Sequence, residues 1–209
     1  MTQRPSSMAA IVLLVLCGAA AAAPTAPRQV KADSVFQAAL LTPDDLPGYT
    51  AQPQQLVAGD DVTGCALFQQ ALRGSLGDGR FVARTSLQLG VGGPFLDELL
   101  FSESAAPSAS DLDRYSAQLR GCRELTLGSG VREFELTATA IDFGAGANAI
   151  RVDGQSHGVF TVDGYLAIGR VNQSVLIGYL FLQINSASDQ QAYAYYVQAL
   201  TKARRKLGY

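Results

Sequence analysis

Histidine is almost missing from this chain. His157 is the only one among 209 residues. It lies in Asp153-Gly154-Gln155-Ser156-His157-Gly158, a stretch that reads as a turn between strands. A zinc site asks for three protein ligands, and one histidine without local partners does not supply them. A serine triad would need the same residue, and no Gly-x-Ser-x-Gly elbow accompanies it. Charge is thin as well: 16% of residues are charged, and the net charge is −2. No stripe of Lys and Arg is present, which argues against nucleic acid, whose phosphates require clustered cations. Gly90, Gly92 and Gly93 lack the Gly-Lys-Ser/Thr ending of a phosphate loop, and no βαβ context surrounds them. No metal, cofactor or catalytic residue is therefore assigned. Asp97, Glu98 and Asp142 remain the carboxylates that a glycosidase would draw on, and nothing in their spacing singles them out.

Cysteine is scarce, and its placement is informative. Cys17 falls in an export signal over residues 1–22. Arg4 supplies the positive start and Met8 to Leu16 the apolar segment, too short to span a bilayer. Ala20-Ala21-Ala22 fits a small-x-small cleavage site, leaving Ala23 first. Leu14-Val15-Leu16-Cys17 offers a lipoprotein reading, although a lipobox prefers a small residue where Leu16 stands. Membrane contact is expected only if Cys17 is lipidated. The expected location is extracytoplasmic, secreted or associated with the cell envelope. Cys65 and Cys122 then form an even pair in an oxidising compartment, which points to a disulfide. Two free thiols or a metal pair are the alternatives.

Residues 23–39 are rich in Pro and Ala and read as a flexible linker. One domain is expected over 40–209. Thr42, Pro43 and Asp45 have the chemistry of a short capped helix, so Asp44 and Asp45 read as capping residues. A short helix over 63–72 places Cys65, Phe68 and Leu72 on one face. Phe81 to Val91 alternates as a half-buried strand, with Phe81, Ala83, Leu87 and Leu89 on one side. Gly92-Gly93-Pro94 turns the chain into a second strand over 97–103. An amphipathic helix over 108–121 buries Leu112, Tyr115 and Leu119, and a strand follows over 132–143. In that strand Ile141 and Phe143 leave the phase of Leu136 and Ala138, which suggests a bulge near Ala140.

The stretch Gly158 to Ile184 dominates the rest. Asp163-Gly164 and Asn172-Gln173 read as turns, which predicts a meander of three strands. In its last run Val175, Ile177, Tyr179 and Phe181 alternate with Leu176, Leu180 and Leu182. Both faces are apolar, so this strand should be central and covered on both sides. A closing helix over 188–207 buries Ala192, Tyr196, Ala199, Leu200, Ala203 and Leu207. Lys202, Arg204, Arg205 and Lys206 crowd its last turns, where cations favour the helix dipole. The fold class is α+β: one antiparallel sheet flanked by helices as a sandwich, with the C-terminal helix packed on it.

Leu40-Leu41-Thr42, Asp45-Leu46-Pro47 and Tyr49 open the domain. Cys65, Gly93-Pro94-Phe95, a helix ending at Cys122, the apolar meander and a C-terminal helix follow in order. This order resembles the PknH-like extracellular sensor domain family of actinobacterial exported proteins and lipoproteins. The resemblance implies an antiparallel sheet flanked by helices and a cleft for an unidentified ligand. It also implies two disulfides, of which only the Cys65–Cys122 pair has counterparts here. The architecture is also similar to the Mog1/PsbP-like sandwich, a binding scaffold. The expectation is a non-catalytic sensor-like or ligand-binding domain whose partner is a small ligand or an envelope component. Phe95, Tyr165 and Tyr179 are the candidate aromatic contacts. A small secreted hydrolase acting on wall polymers or esters is one alternative. A structural or interaction protein of the envelope is the other.

Overall fold

The computed structural model describes residues 34–208, apart from 54–60, 77–78, 103–108, 129–132, 145, 157–159 and 186. The expected export signal, with Cys17, and His157 lie outside the described residues. The chain opens with α1 (Ser34–Ala39), two-residue strands β1 (Thr50–Ala51) and β2 (Val62–Thr63), and α2 (Ala66–Leu72). Then come β3 (Ser75–Leu76), β4 (Gly79–Gln88), β5 (Phe95–Ser102) and α3 (Ala109–Gly121). The remainder is β6 (Glu124–Leu127), β7 (Phe134–Asp142), β8 (Ala147–Ser156), β9 (Phe160–Arg170), β10 (Val175–Ile184) and α4 (Asp189–Leu207). The linker expected over 23–39 is thus corrected at its end. Ser34–Ala39 is helical, and Ala39, Leu40 and Leu41 are buried, because this segment covers sheet residues that would otherwise face water.

The strands form one antiparallel sheet in the order β1-β4-β5-β10-β9-β8-β7-β6-β2, with β3 paired to β4 outside that path. The sheet curls as a half-barrel, so the α+β class holds but the flat layers of a sandwich do not. A sheet of this many strands accumulates twist and curls. β10 lies between β5 and β9 and carries the expected two apolar faces. Leu176, Leu180 and Leu182 pack into a core shared with α2 and α3. Val175, Ile177, Tyr179 and Phe181 pack into a second core shared with α1 and α4. Each face of one strand therefore anchors a separate core, which fixes its register. A slip by one residue would exchange the two sets of side chains.

Two turn and bulge expectations are corrected. Asp163-Gly164 is not a turn; it lies inside β9, with Gly164 opposite Val152 on one side and Leu182 on the other. A Cβ on Gly164 would lie 2.3 Å from the Phe181 carbonyl oxygen. The glycine allows close backbone approach, an alternative use of Gly in a strand. The turn near Asn172 does form: Val171 N and Asn172 N both donate to Val175 O. No bulge interrupts β7, whose register with β8 runs unbroken from Glu135↔Gln155 to Asp142↔Asn148. Leu136 and Ala138 belong to the α2/α3 core, whereas Ile141 and Phe143 pack with the α4 core. The change of phase records a change in which face is covered. The bulge lies instead between Phe81 and Ala83. It sends Phe81 to the first core and Ala83 and Leu87 to the second, so these residues do not share one side.

The first core is closed covalently. Cys65, at the start of α2, is bonded to Cys122, which follows α3 (Sγ–Sγ 2.06 Å, Cα–Cα 5.1 Å). The second is closed by polar contacts between the two ends of the described chain. Residues 43–46 form a turn where a short helix was expected. Even so, Asp45 Oδ2 accepts from Thr42 N and Thr42 Oγ1, both at 2.8 Å, as a capping acid does. Asp45 also meets Lys202 Nζ of α4 at 2.5 Å, and Gln198 Nε2 donates to Asp45 O at 2.8 Å. The basic cluster at the end of α4 is therefore not uniform. Lys202 is only 13% exposed and paired, Arg204 donates to Arg170 O, and Arg205 and Lys206 face solvent.

Candidate functional site

A cleft of about 420 Å3 opens where the end of β7 meets the first turns of α4. Ile141, Asp142, Phe143 and Gly144 form one wall, Arg151 of β8 and Tyr165 of β9 come from the sheet, and Asp189 and Tyr193 come from α4. The local sequence explains the assembly. The turn after β7 places Gly144 at φ +64°, a conformation glycine adopts without strain. Asp142 Oδ1 accepts from Gly144 N at 2.9 Å and fixes the turn. Ser188 caps α4, accepting from Gln191 N at 3.3 Å. This cap presents Asp189 in the first turn, where a carboxylate favours the helix dipole.

Phe143 is the hub of the wall. Its ring stacks on Tyr165 (5.5 Å between centroids), meets Tyr193 edge-on (5.7 Å) and touches Tyr196 (5.3 Å). Phe143, Tyr165 and Tyr196 are buried, while Tyr193 is 41% exposed at the mouth. The Tyr165 hydroxyl donates to Asp189 Oδ1. Burial first, and then that carboxylate, push the Tyr165 phenol above its ordinary range, so it remains a donor. Arg151 lies 3.5 Å from Asp189 and 3.9 Å from Asp163. The site thus joins one guanidinium, carboxylates on both walls and an aromatic rim. These groups can bind and orient a polar ligand.

The three aromatic candidates do not converge. Tyr165 lines the cleft. Tyr179 is buried with its hydroxyl donating to Ala192 O at 3.1 Å, and this bond ties β10 to α4. Phe95 packs against the α2/α3 core on the opposite face of the sheet. Arg151, Asp189, Tyr193 and Phe143 carried no signal as a set, because their proximity depends on pairing β7, β8 and β9 and on docking α4. The phase change at Ile141 and Phe143 is the one local sign of the wall, since it marks where β7 turns its apolar side chains to the α4 core. A second, smaller cleft of about 270 Å3 lies beside the disulfide, lined by Gly64, Gln70, Gln118 and Cys122 among others.

The adjacent acids Asp97 and Glu98 are both buried and point to opposite faces of β5. Glu98 is fully buried; its Oε2 accepts from Leu41 N at 2.8 Å, while Oε1 has no hydrogen-bond partner. Burial pushes its carboxyl up to about 8, against the pull of the Leu41 N–H and of Lys202. Glu98 lies opposite Tyr179 in the sheet and beneath the chain that follows α1. It is a structural clasp and lines neither cleft.

Among the described residues, no helix is long and apolar enough to cross a membrane. No protein-family profile matches the chain, and no curated protein matches it in sequence. Among solved structures, it is similar to the extracellular domain of PknH from Mycobacterium tuberculosis. That likeness has a TM-score of 0.55 at 15% identity and covers 82% of this chain and 97% of that one. At this identity the likeness speaks for architecture. The curled antiparallel sheet with its C-terminal helix is a PknH-like extracellular-domain fold.

Proposed function

We propose that this chain is a non-catalytic, extracytoplasmic ligand-binding domain of the cell envelope, sensor-like in fold, and that its ligand enters the cleft between β7 and α4. The observation that carries the reading is the convergence of Arg151, Asp142, Asp189 and Tyr193 on one opening of about 420 Å3. Sites of this kind combine apolar walls with a few placed polar groups, and volumes of roughly 300–1,000 Å3 are typical. The solved structure it resembles is an extracellular domain, which supports placement outside the cytoplasm. The sequence over residues 1–22, read as an export signal, supports the same placement. Asp189 is engaged by Tyr165 and Arg151, an arrangement that holds the carboxylate in place for binding.

The experiment is a thermal-shift screen of cell-wall extracts and small polar compounds against the wild-type chain and Tyr193→Ala. Binding at the cleft raises the wild-type midpoint and leaves the variant unmoved. Equal shifts in both proteins would place the ligand elsewhere. Release of product from the extract would overturn the non-catalytic reading in favour of a secreted hydrolase.

A further inference from the structure

We propose that the cleft takes a polyhydroxylated ring without acid groups, a non-acidic sugar unit of a glycan. This inference rests on the reading that the cleft binds a ligand, and adds its chemical class. Charge is the first argument. Asp142 and Asp189 line the same opening as Arg151. An anionic ligand would meet the two carboxylates, and a cationic one would meet the guanidinium. The two carboxylates outnumber the one guanidinium, and Asp163 also lies 3.9 Å from Arg151, so the opening is net negative and turns an anionic ligand away. A hydroxyl group donates and accepts at once, so it suits both partners. A carboxylate only accepts and a guanidinium only donates.

Capacity is the second argument. Asp142 uses Oδ1 for the Gly144 N–H, leaving Oδ2 for a ligand hydroxyl. Asp189 spends Oδ1 on Tyr165 and Arg151, and its side chain is 72% exposed. Arg151 reaches its acids at 3.5 and 3.9 Å. These contacts are long for charge-assisted hydrogen bonds, so its donors are not saturated.

The third argument is the rim. Tyr193 is one of the few large hydrophobic side chains exposed among the described residues, at 41%. Its ring is held against Phe143 and lies close to Gly144. A Cβ at that glycine would come within 3.2 Å of the Tyr193 hydroxyl. An anchored, half-exposed aromatic ring beside acceptors and donors matches the two sides of a sugar ring: C–H groups on its face and hydroxyls on its edge.

The test keeps the ring and changes only the charge. Neutral methyl glycosides of several configurations and glucuronate are each titrated into the isotope-labelled full chain. Amide signals of residues 142–144 and 189–193 are followed, and a cell-wall extract is titrated in parallel. At least one neutral glycoside should move these signals, with glucuronate at least about tenfold weaker. Asp142→Asn and Tyr193→Ala should each weaken the neutral glycoside by about tenfold while the rest of the spectrum stays that of the folded chain. Preference for glucuronate would overturn the inference and leave ligand binding standing. So would an extract that moves the cleft signals when no glycoside does. If neither extract nor sugar moves them, the inference and the binding reading fail together.

Discussion

The two cores on either side of the sheet are built differently. The α2/α3 side is rich in leucine, includes the close aromatic pair Phe81 and Phe101, and is closed by the Cys65–Cys122 bond. The α1/α4 side is a run of linked aromatic rings, from Tyr193 through Phe143, Tyr165 and Phe181 to Tyr195 and Tyr49. It is closed by Asp45–Lys202 and by Glu98 receiving the Leu41 N–H. The covalently closed side also has a buried polar clasp between distant segments, the Tyr115 hydroxyl donating to Leu76 O at 3.3 Å. The side closed by polar contacts carries hydroxyls and carboxylates on rigid rings and strands, and it carries the larger cleft. Tyrosine makes this possible because its ring fills the core while its oxygen reaches a partner.

Removing the disulfide should have the largest effect. Replacing both Cys65 and Cys122 with Ala frees a loop spanning 57 positions, which costs about 4 kcal/mol on the chain-entropy model. Urea unfolding measures it. A loss below about 1 kcal/mol would mean that leucine packing alone closes that side.

Glu98 should make the opposite side sensitive to pH. Its carboxyl is raised from 4.5 to about 8 in the folded chain. Between those values the folded state holds a proton that the unfolded chain has lost. Stability is therefore full below about 4.5 and falls as pH rises toward about 8. The maximum slope from one such group is about 1.4 kcal/mol per pH unit. Glu98→Gln should flatten that slope in denaturant titrations across the same window. An unchanged slope would assign it to other groups.

A smaller loss is expected for Lys202→Met. Burial opposes ionisation of Asp45, but hydrogen bonds from Lys202 and Thr42 outweigh it and hold the carboxyl below its usual range. That stability is present above the unfolded value of 3.8 and is lost as pH falls through the lower folded value. The pair is mostly sheltered, so removing the ammonium should cost about 1–2 kcal/mol at neutral pH. NMR titration should show the Asp45 carboxyl rising toward 3.8 or above. Tyr193→Ala should be mildest, about 1 kcal/mol or less for its edge contact with Phe143. A much larger loss would make Tyr193 a core residue and not a cleft residue.

How much was legible from sequence varied with the range of the contact. The α4 stripe Ala192, Tyr196, Ala199, Leu200 and Ala203 was readable because helical period reports burial locally. The two-faced character of β10 was readable for the same reason with a period of two. Asp163-Gly164 misled because a glycine preceded by an acid is good turn chemistry, and the strands that crowd it lie far along the chain. Glu98 was indistinguishable from a surface acid, since its burial depends on distant segments, among them the residues 40–41 that follow α1.

The sequence by itself determined the elements that a single period encodes, the pairing chemistry of two cysteines, and the class of fold they add up to. Periodicity and composition are properties of neighbouring residues. The tertiary structure decided that β10 enters between β5 and β9, that the sheet curls, and that the end of β7, Arg151, Tyr165 and the start of α4 share one cleft. Those arrangements depend on which strands pair and which helix covers which face. Hydrophobic burial and hydrogen bonding settle them between segments distant in sequence, and no local pattern records the outcome.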